Sequence, residues 1–254
     1  MAESVGGKGD IGAVRLPVIQ GLIRRRILVN FRVDRQVALR QMPACFRPKL
    51  QAGQAVAGIC LIRLEHIRPK MMPEIVGLNS ENAAHRVAVL WDDERGEGRE
   101  GVFIPRRDTD SQVARLMGGR VFPGEHHRAS FSVSETENEI SFKMKSQDEE
   151  VAVELKGRVA DKLPPSSIFP SLQAASSFFE AGSLGYSVTG DPSLLDGVTL
   201  RTEGWRVEPL DVTEVYSSYF ADESRFPKGS VEFDHALIMR NIAHEWHSAS
   251  QLYV

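Results

Sequence analysis

The sequence is poor in cysteine and in lysine, and each shortage excludes chemistry. Cys45 and Cys60 are the only cysteines, too few for a disulfide framework or a cysteine-rich zinc site, and they read as reduced, buried thiols. Of the 31 basic residues only eight are lysine (Lys8, Lys49, Lys70, Lys143, Lys145, Lys156, Lys162 and Lys228), the rest being arginine. No stretch approaches the roughly 18 apolar residues of a membrane span, and the opening MAESVGGKGDIGAVRLP holds no apolar signal core. A cytoplasmic protein with no membrane partner is expected. An excess of one charge is lacking too: 31 basic against 34 acidic residues give a net charge of -3, without the basic field that dominates nucleic-acid affinity. No nucleic-acid partner is expected. G-x-S-x-G, the P-loop and a G-x-G-x-x-G in a βαβ setting are all missing, so serine hydrolases, nucleotide hydrolases and dinucleotide enzymes find no support.

What is present is a long series of strand patterns. Residues 1–17 are Gly-rich and aperiodic and read as a flexible tail, leaving 18–254 as one domain. LIRRRILVNFRV (22–33) suggests a strand, and Asp34 a cap for a short helix closed by Pro43. AVAGICLIRL (55–64) is continuous enough for a strand buried on both faces. HRVAVLW (85–91) and GVFIPRR flank the charged turn DDERGEGRE as a hairpin, and Asp110 caps a helix expected to run through Met117. HHRASFSV, EISFKMKS and VAVELKGRV alternate with period two and form an antiparallel meander. Ser171 caps a helix that Gly182 stops, and two further long strands are expected in 199–220 and 231–246. The fold class is therefore α+β: a single domain of antiparallel sheet curled into a barrel or cone, with a few short helices and a mouth that can hold a ligand.

Polar residues between these apolar strands are the candidates for chemistry. Alternation places Glu81 and His85 on one face with apolar neighbours, an arrangement suited to acid-base work or to a structural hydrogen bond, and puts Arg86 on the other. The same rule turns His127 toward the core with Ala129, Phe131 and Val133, and His126 toward solvent. Arg106, Arg107 and Arg120 lie near Gly and Pro turns, where guanidinium groups either clamp a carboxylate or pair with Asp108, Asp110 and Glu125. Glu125, His85 and His127 have no diagnostic metal spacing, and the His244 and His247 of HEWH stand three apart rather than four, so no metal or other cofactor is expected. As a strand end, HEWH reads as surface-exposed or capping.

LVNFRVDRQVALRQMPACFRPKL, AVAGICLIRL, LNSENAAHRVAV, GVFIPRRDTDS, GGRVFPGEHHRASF, GSLGYSVTG, WRVEPL and VEFDHALIMRNIAHEWH together resemble the acetoacetate decarboxylase-like superfamily, and more closely its YqjF-like branch, a domain of unknown function. The resemblance implies a barrel or cone with an internal pocket, and homo-oligomerisation as in the decarboxylases. Those enzymes form a Schiff base between a β-keto acid and a lysine that follows a Gly-Arg step, aided by a pocket glutamate. Glu81 matches the glutamate and Gly119-Arg120 the step. The lysine has no match: its position falls on His127 in one register and on Gly124 and Glu125 in another. Lys143, Lys145 and Lys156 alternate against apolar residues and so face water, while the others lie in the tail or beside turns. A Schiff base needs an amine lowered about three units from a pKa of about 10.4, and no lysine is placed for that. Two readings remain. In one, Glu81, Glu125 and His127 carry acid-base chemistry of a lyase or hydrolase on a small carboxylate or carbonyl compound held by His85, Arg86, Arg106 and Arg120. In the other, the same pocket binds a small molecule without turning it over.

Overall fold

The computed structural model describes residues 17–113 and 124–254. Asp34 caps α1 (Arg35–Arg40) by accepting from the amides of Gln36 and Val37, and Ser171 caps α2 (Leu172–Ala181) by accepting from Ala174. A third short helix, α3, spans Ser218–Ala221. The helix expected over 110–117 falls largely outside the described residues. No described helix is long and apolar enough to cross a membrane.

The strands form one curled, mostly antiparallel sheet. β1 (Ile19–Val33), β4 (Gln54–Pro69), β5 (Leu78–Asp92), β6 (Gly98–Thr109) and β13 (Val231–Tyr253) make its middle, in the order β13-β1-β4-β5-β6, with β2 (Arg47–Pro48) and β3 (Leu50–Gln51) as short additions. From this middle the sheet closes twice. The parallel pairing of β6 with β10 (Leu184–Val188), then β11 (Leu194–Thr202), leads back to the far end of β13. The other closure begins with a second parallel pairing, of the end of β6 with β7 (His127–Glu135), and runs through β8 (Glu139–Ser146), β9 (Ala152–Val159) and β12 (Glu208–Ser217) to β13 near Ala236. The hairpin and the meander form as expected. The single strand expected over 199–220 does not: β11 ends at Thr202, β12 begins at Glu208, and the segment finishes in α3.

Two closures on one sheet give two interiors. Ile27, Val29, Phe31, Ala57, Ile59 and Leu61 pack into a core with Phe142, Val153 and Leu155, whereas Leu28, Val56 and Cys60 face a second core with Phe169, Phe179 and Leu237. Both faces of the middle strands are thus buried, which accounts for the unbroken apolar run of β4.

Phe142 is fully buried in the first core, edge-on to Phe131 and beneath the Arg25 guanidinium. Phe142→Ala is expected to lower the unfolding free energy by about 3–5 kcal/mol in urea denaturation.

Candidate functional site

A cavity of about 300 Å³ opens on the second face, between the middle strands and the β10-β11 closure, and its walls include Arg26, Cys60, Arg86, Arg107, His126 and Trp246. Ile23, Val102, Ile104, Phe179 and Trp205 supply apolar wall. Exposed Glu180 is the one carboxylate in the lining among the described residues. Three guanidinium groups therefore meet in a mostly apolar chamber.

Two irregularities aim them there. The β1-β4 register shifts between Ile23 and Arg25, so Ile23 and Arg26 both reach the cavity while Arg25 turns to the first core. On β6 the register shifts around Pro105: Ala88 pairs with Val102 on the cavity face, and Ala84 pairs with Arg107 on that same face. Arg106 is thereby left opposite His85 on the other face.

Each cavity arginine is held by neutral partners. Arg107 donates from Nε to Ser187 Oγ at 3.0 Å. Arg26 donates from Nε to Cys60 Sγ at 3.0 Å and lies over the Trp205 ring. Arg86 lies over Phe179 and donates from Nη2 to Asn30 Oδ1 at 2.5 Å. That bond belongs to a row of residues in register across the sheet: His235, Asn30, Gly58 and Arg86. Gly58 has no side chain, so Arg86 can reach over β4 to Asn30. Asn30 donates in turn to Leu28 O and to His235 Nε2, each at 3.1 Å, and His235 Nδ1 donates to Asp234 at 2.5 Å. Asp234 also accepts from Ser167 Oγ and the Ile168 amide. Burial pushes the Asp234 carboxyl up, but these donors outweigh it and hold the group below the usual carboxylate range.

Burial lowers Arg86 to about 10, and Arg107 to about 10 as well, still charged near neutrality. Arg86 Nε and Arg26 Nη1 are buried without a hydrogen-bond partner. Buried donors on cations without carboxylate partners are costly, and an anion in the cavity would satisfy them. His126 enters through a turn at Gly124, whose φ of +77° only glycine adopts without strain. Its Nδ1 donates to Gly124 O at 3.2 Å, and burial, then the Arg107 charge, push the ring to about 3.

Of the residues singled out in the sequence as candidates for chemistry, Arg86, Arg107 and His126 line the cavity, whereas Glu81, His85, Arg106, Glu125 and His127 do not. Glu81 faces the first core, bound by Arg25 at 2.6 Å and Arg63 at 3.3 Å; burial pushes its carboxyl up against the pull of both arginines. His85 is fully buried against Tyr219 and Phe220, with neither ring nitrogen bonded. Arg106 takes its pairing alternative, with Asp108, Asp148 and Glu150. Glu125 is exposed. Arg120, with the Gly119-Arg120 step, lies outside the described residues. The two adjacent histidines correct the alternation rule. His126 precedes β7 and enters the cavity, while His127 sits at the strand end, 3.1 Å from Asp148. His244 is corrected as well: it is buried beside Trp246 rather than exposed, and His247 bonds Glu245.

Among the described residues no lysine lines the cavity. Lys49 lines a small adjoining cleft that shares Arg26 and Arg86, and it pairs with Glu100 at 2.6 Å. Lys143, Lys145 and Lys156 are exposed and paired with Glu154, Glu149 and Glu214. No group of His, Cys, Asp or Glu among the described residues could hold a metal ion.

A family model, DUF2071, described as an uncharacterized conserved protein, matches residues 22–236. No curated protein matches the chain. Among solved structures, acetoacetate decarboxylase from Legionella pneumophila is similar with a TM-score of 0.59 at 12% identity, covering 99% of this chain and 98% of that one. An acetoacetate decarboxylase-like enzyme from Sphingomonas wittichii gives 0.57 at 11% identity, covering 95% and 94%. The enduracididine biosynthesis enzyme MppR, in a complex with pyruvate, gives 0.55 at 11% identity, covering 96% and 93%. At such identities the likeness is one of fold.

Two outcomes are expected from this geometry. A Cβ at Gly58 would stand 2.3 Å from Val29 O and 3.3 Å from Asn30 Oδ1, so Gly58→Ala should cost about 2 kcal/mol or more in urea unfolding. Burial lowers His85 to about 3 and His244 to about 4, as it does His126. All three stay neutral in the folded chain but titrate near 6.5 once unfolded. Their stabilisation is complete above pH ~6.5 and is lost as pH falls toward these lowered values. Unfolding free energy measured across that range should decline by up to about 1.4 kcal/mol per pH unit per histidine, with a shallower slope in His85→Phe.

Proposed function

Because the chain belongs to the DUF2071 family and has the fold of the acetoacetate decarboxylases, we propose that its cavity binds a small carboxylate bearing a carbonyl group, in a site that works without a lysine Schiff base. The observation that carries this reading is the convergence of Arg26, Arg86 and Arg107 on one largely apolar chamber whose only lining carboxylate, among the described residues, is the exposed Glu180. Guanidinium groups match the planar, two-oxygen shape of a carboxylate, and the apolar wall suits a short hydrocarbon body. The capture of pyruvate by MppR, a protein of the same fold, supports the ligand class. Glu81, Glu125 and His127 have no place in this arrangement; His126 is the proton-transfer group within reach of a bound ligand. Its neutral ring is a weak base, and an anion bound beside Arg107 would offset the charge that contributes to that weakness.

A second reading, capture without turnover, is favoured by that same low basicity of His126. The first measurement concerns binding. Benzoate and phenylglyoxylate should raise the melting temperature in a concentration-dependent way while benzamide leaves it unchanged. Arg86→Gln and Arg107→Gln should each weaken carboxylate binding by about tenfold or more. Equal stabilisation by benzamide, or unaltered affinity in both variants, would refute the carboxylate site. Borohydride reduction with a β-keto acid present should leave no lysine adduct. Conversion of a bound 2-oxo or β-keto acid separates the enzyme from the binder.

A further inference from the structure

We propose that Cys60 is the nucleophile of this cavity, adding through Sγ to the carbonyl carbon of a bound 2-oxo acid. The proposal rests on the carboxylate reading above and assigns that site a substrate class and a reacting atom. Cys60 lies on β4 in register between Leu28 and Ala84, on the face that lines the cavity. It is not an isolated thiol. Arg26 Nε stands 3.0 Å from its Sγ, and Arg86 and Arg107 line the same chamber as the sulfur. Arg86 is only 4% exposed, lines the same chamber and has a buried Nε without a hydrogen-bond partner. Arg26 Nη1 is likewise unpaired. These donors call for an anion next to the sulfur.

The reach of Arg26 selects the class. One guanidinium that contacts Sγ and also holds a carboxylate brings the carbon next to that carboxylate close to the sulfur. An electrophile at that position is the ketone carbon of a 2-oxo acid; in a β-keto acid it is one bond further away. In the step, the S–C bond forms as the carbonyl π pair moves onto oxygen, and that oxygen takes the proton that the thiol gives up. The product is a thiohemiketal. Nothing is oxidised, no group leaves, and reversal returns the free acid. Arg107, in the wall of the same chamber, is the cation for the oxygen on which negative charge develops, while Arg86 joins Arg26 on the carboxylate.

Iodoacetate tests this directly, because its reactive carbon also adjoins its carboxylate. The full-length protein is treated near neutral pH with iodoacetate or with the neutral iodoacetamide, and modification of Cys60 and Cys45 is followed by peptide mass spectrometry. Cys45 is outside the cavity lining, and burial pushes its thiol up, so it serves as the internal reference. At Cys60 the rate with iodoacetate relative to iodoacetamide should exceed the same ratio at Cys45 by about tenfold or more. Pyruvate should slow labelling of Cys60 and spare Cys45, and Arg86→Gln should abolish the preference for iodoacetate. Pyruvate labelled at its ketone carbon should show, with the wild type, a tetrahedral-carbon resonance distinct from that of its hydrate and absent with Cys60→Ser. If carboxylates stabilise the fold through Arg86 yet Cys60 resists both reagents or shows no preference, the nucleophile is refuted and the binding site stands. If carboxylates neither stabilise nor protect, both fall.

Discussion

The tether on Arg86 is the constraint on which the cavity depends. A guanidinium removed from water needs fixed acceptors, and a carboxylate would ordinarily supply them. Here a chain of hydrogen bonds runs instead through Asn30 and His235 to an Asp234 carboxylate that lies away from the cavity. The path exists because four neighbouring strands align His235, Asn30, Gly58 and Arg86 in one row, and the missing side chain at Gly58 leaves room to cross β4. The chamber thereby keeps cationic groups whose charge is not cancelled by an acid beside them. That is the electrostatic condition for holding an anionic guest.

Much of the architecture was legible in the residues themselves. Asp34 and Ser171 cap helices because their oxygens meet amides that the first turn leaves unpaired, and that preference is local. The alternation of Phe142, Met144, Val153 and Leu155 marks the meander for the same reason: one face of it is core and the other is wet. The apolar run of β4 signalled burial on both sides. The site was harder to read. Simple alternation assumes that one face of each strand meets solvent, whereas the middle strands separate two interiors. His126 is a separate case: it precedes β7, so strand alternation does not govern it, and it points into the cavity. The choice between Arg106 and Arg107 turned on a register shift at Pro105, and Arg26 on another near Arg24. Such shifts depend on pairing with a distant strand and leave no mark in a single sequence beyond the proline. Cys60, set aside as an ordinary buried thiol, carried no local signal; its neighbours come from β1, β5 and β6.

The scarcity of lysine, the first feature of the composition, reappears in the cavity. Among the described residues the chamber presents guanidinium groups, an imidazole and a thiol, and no amine. A guanidinium is a poor nucleophile and a good holder of oxyanions.

A sheet with an interior on each side also limits how this chain can change over generations. Loss or gain of one residue within β4 would send Ile59 and Cys60 to each other's chamber, spoiling both at once. Length variation among descendants should therefore gather in the loops and at the bulges, while the central strands drift by exchange of side chains at constant length. Each chamber can then acquire new contents without disturbing the other.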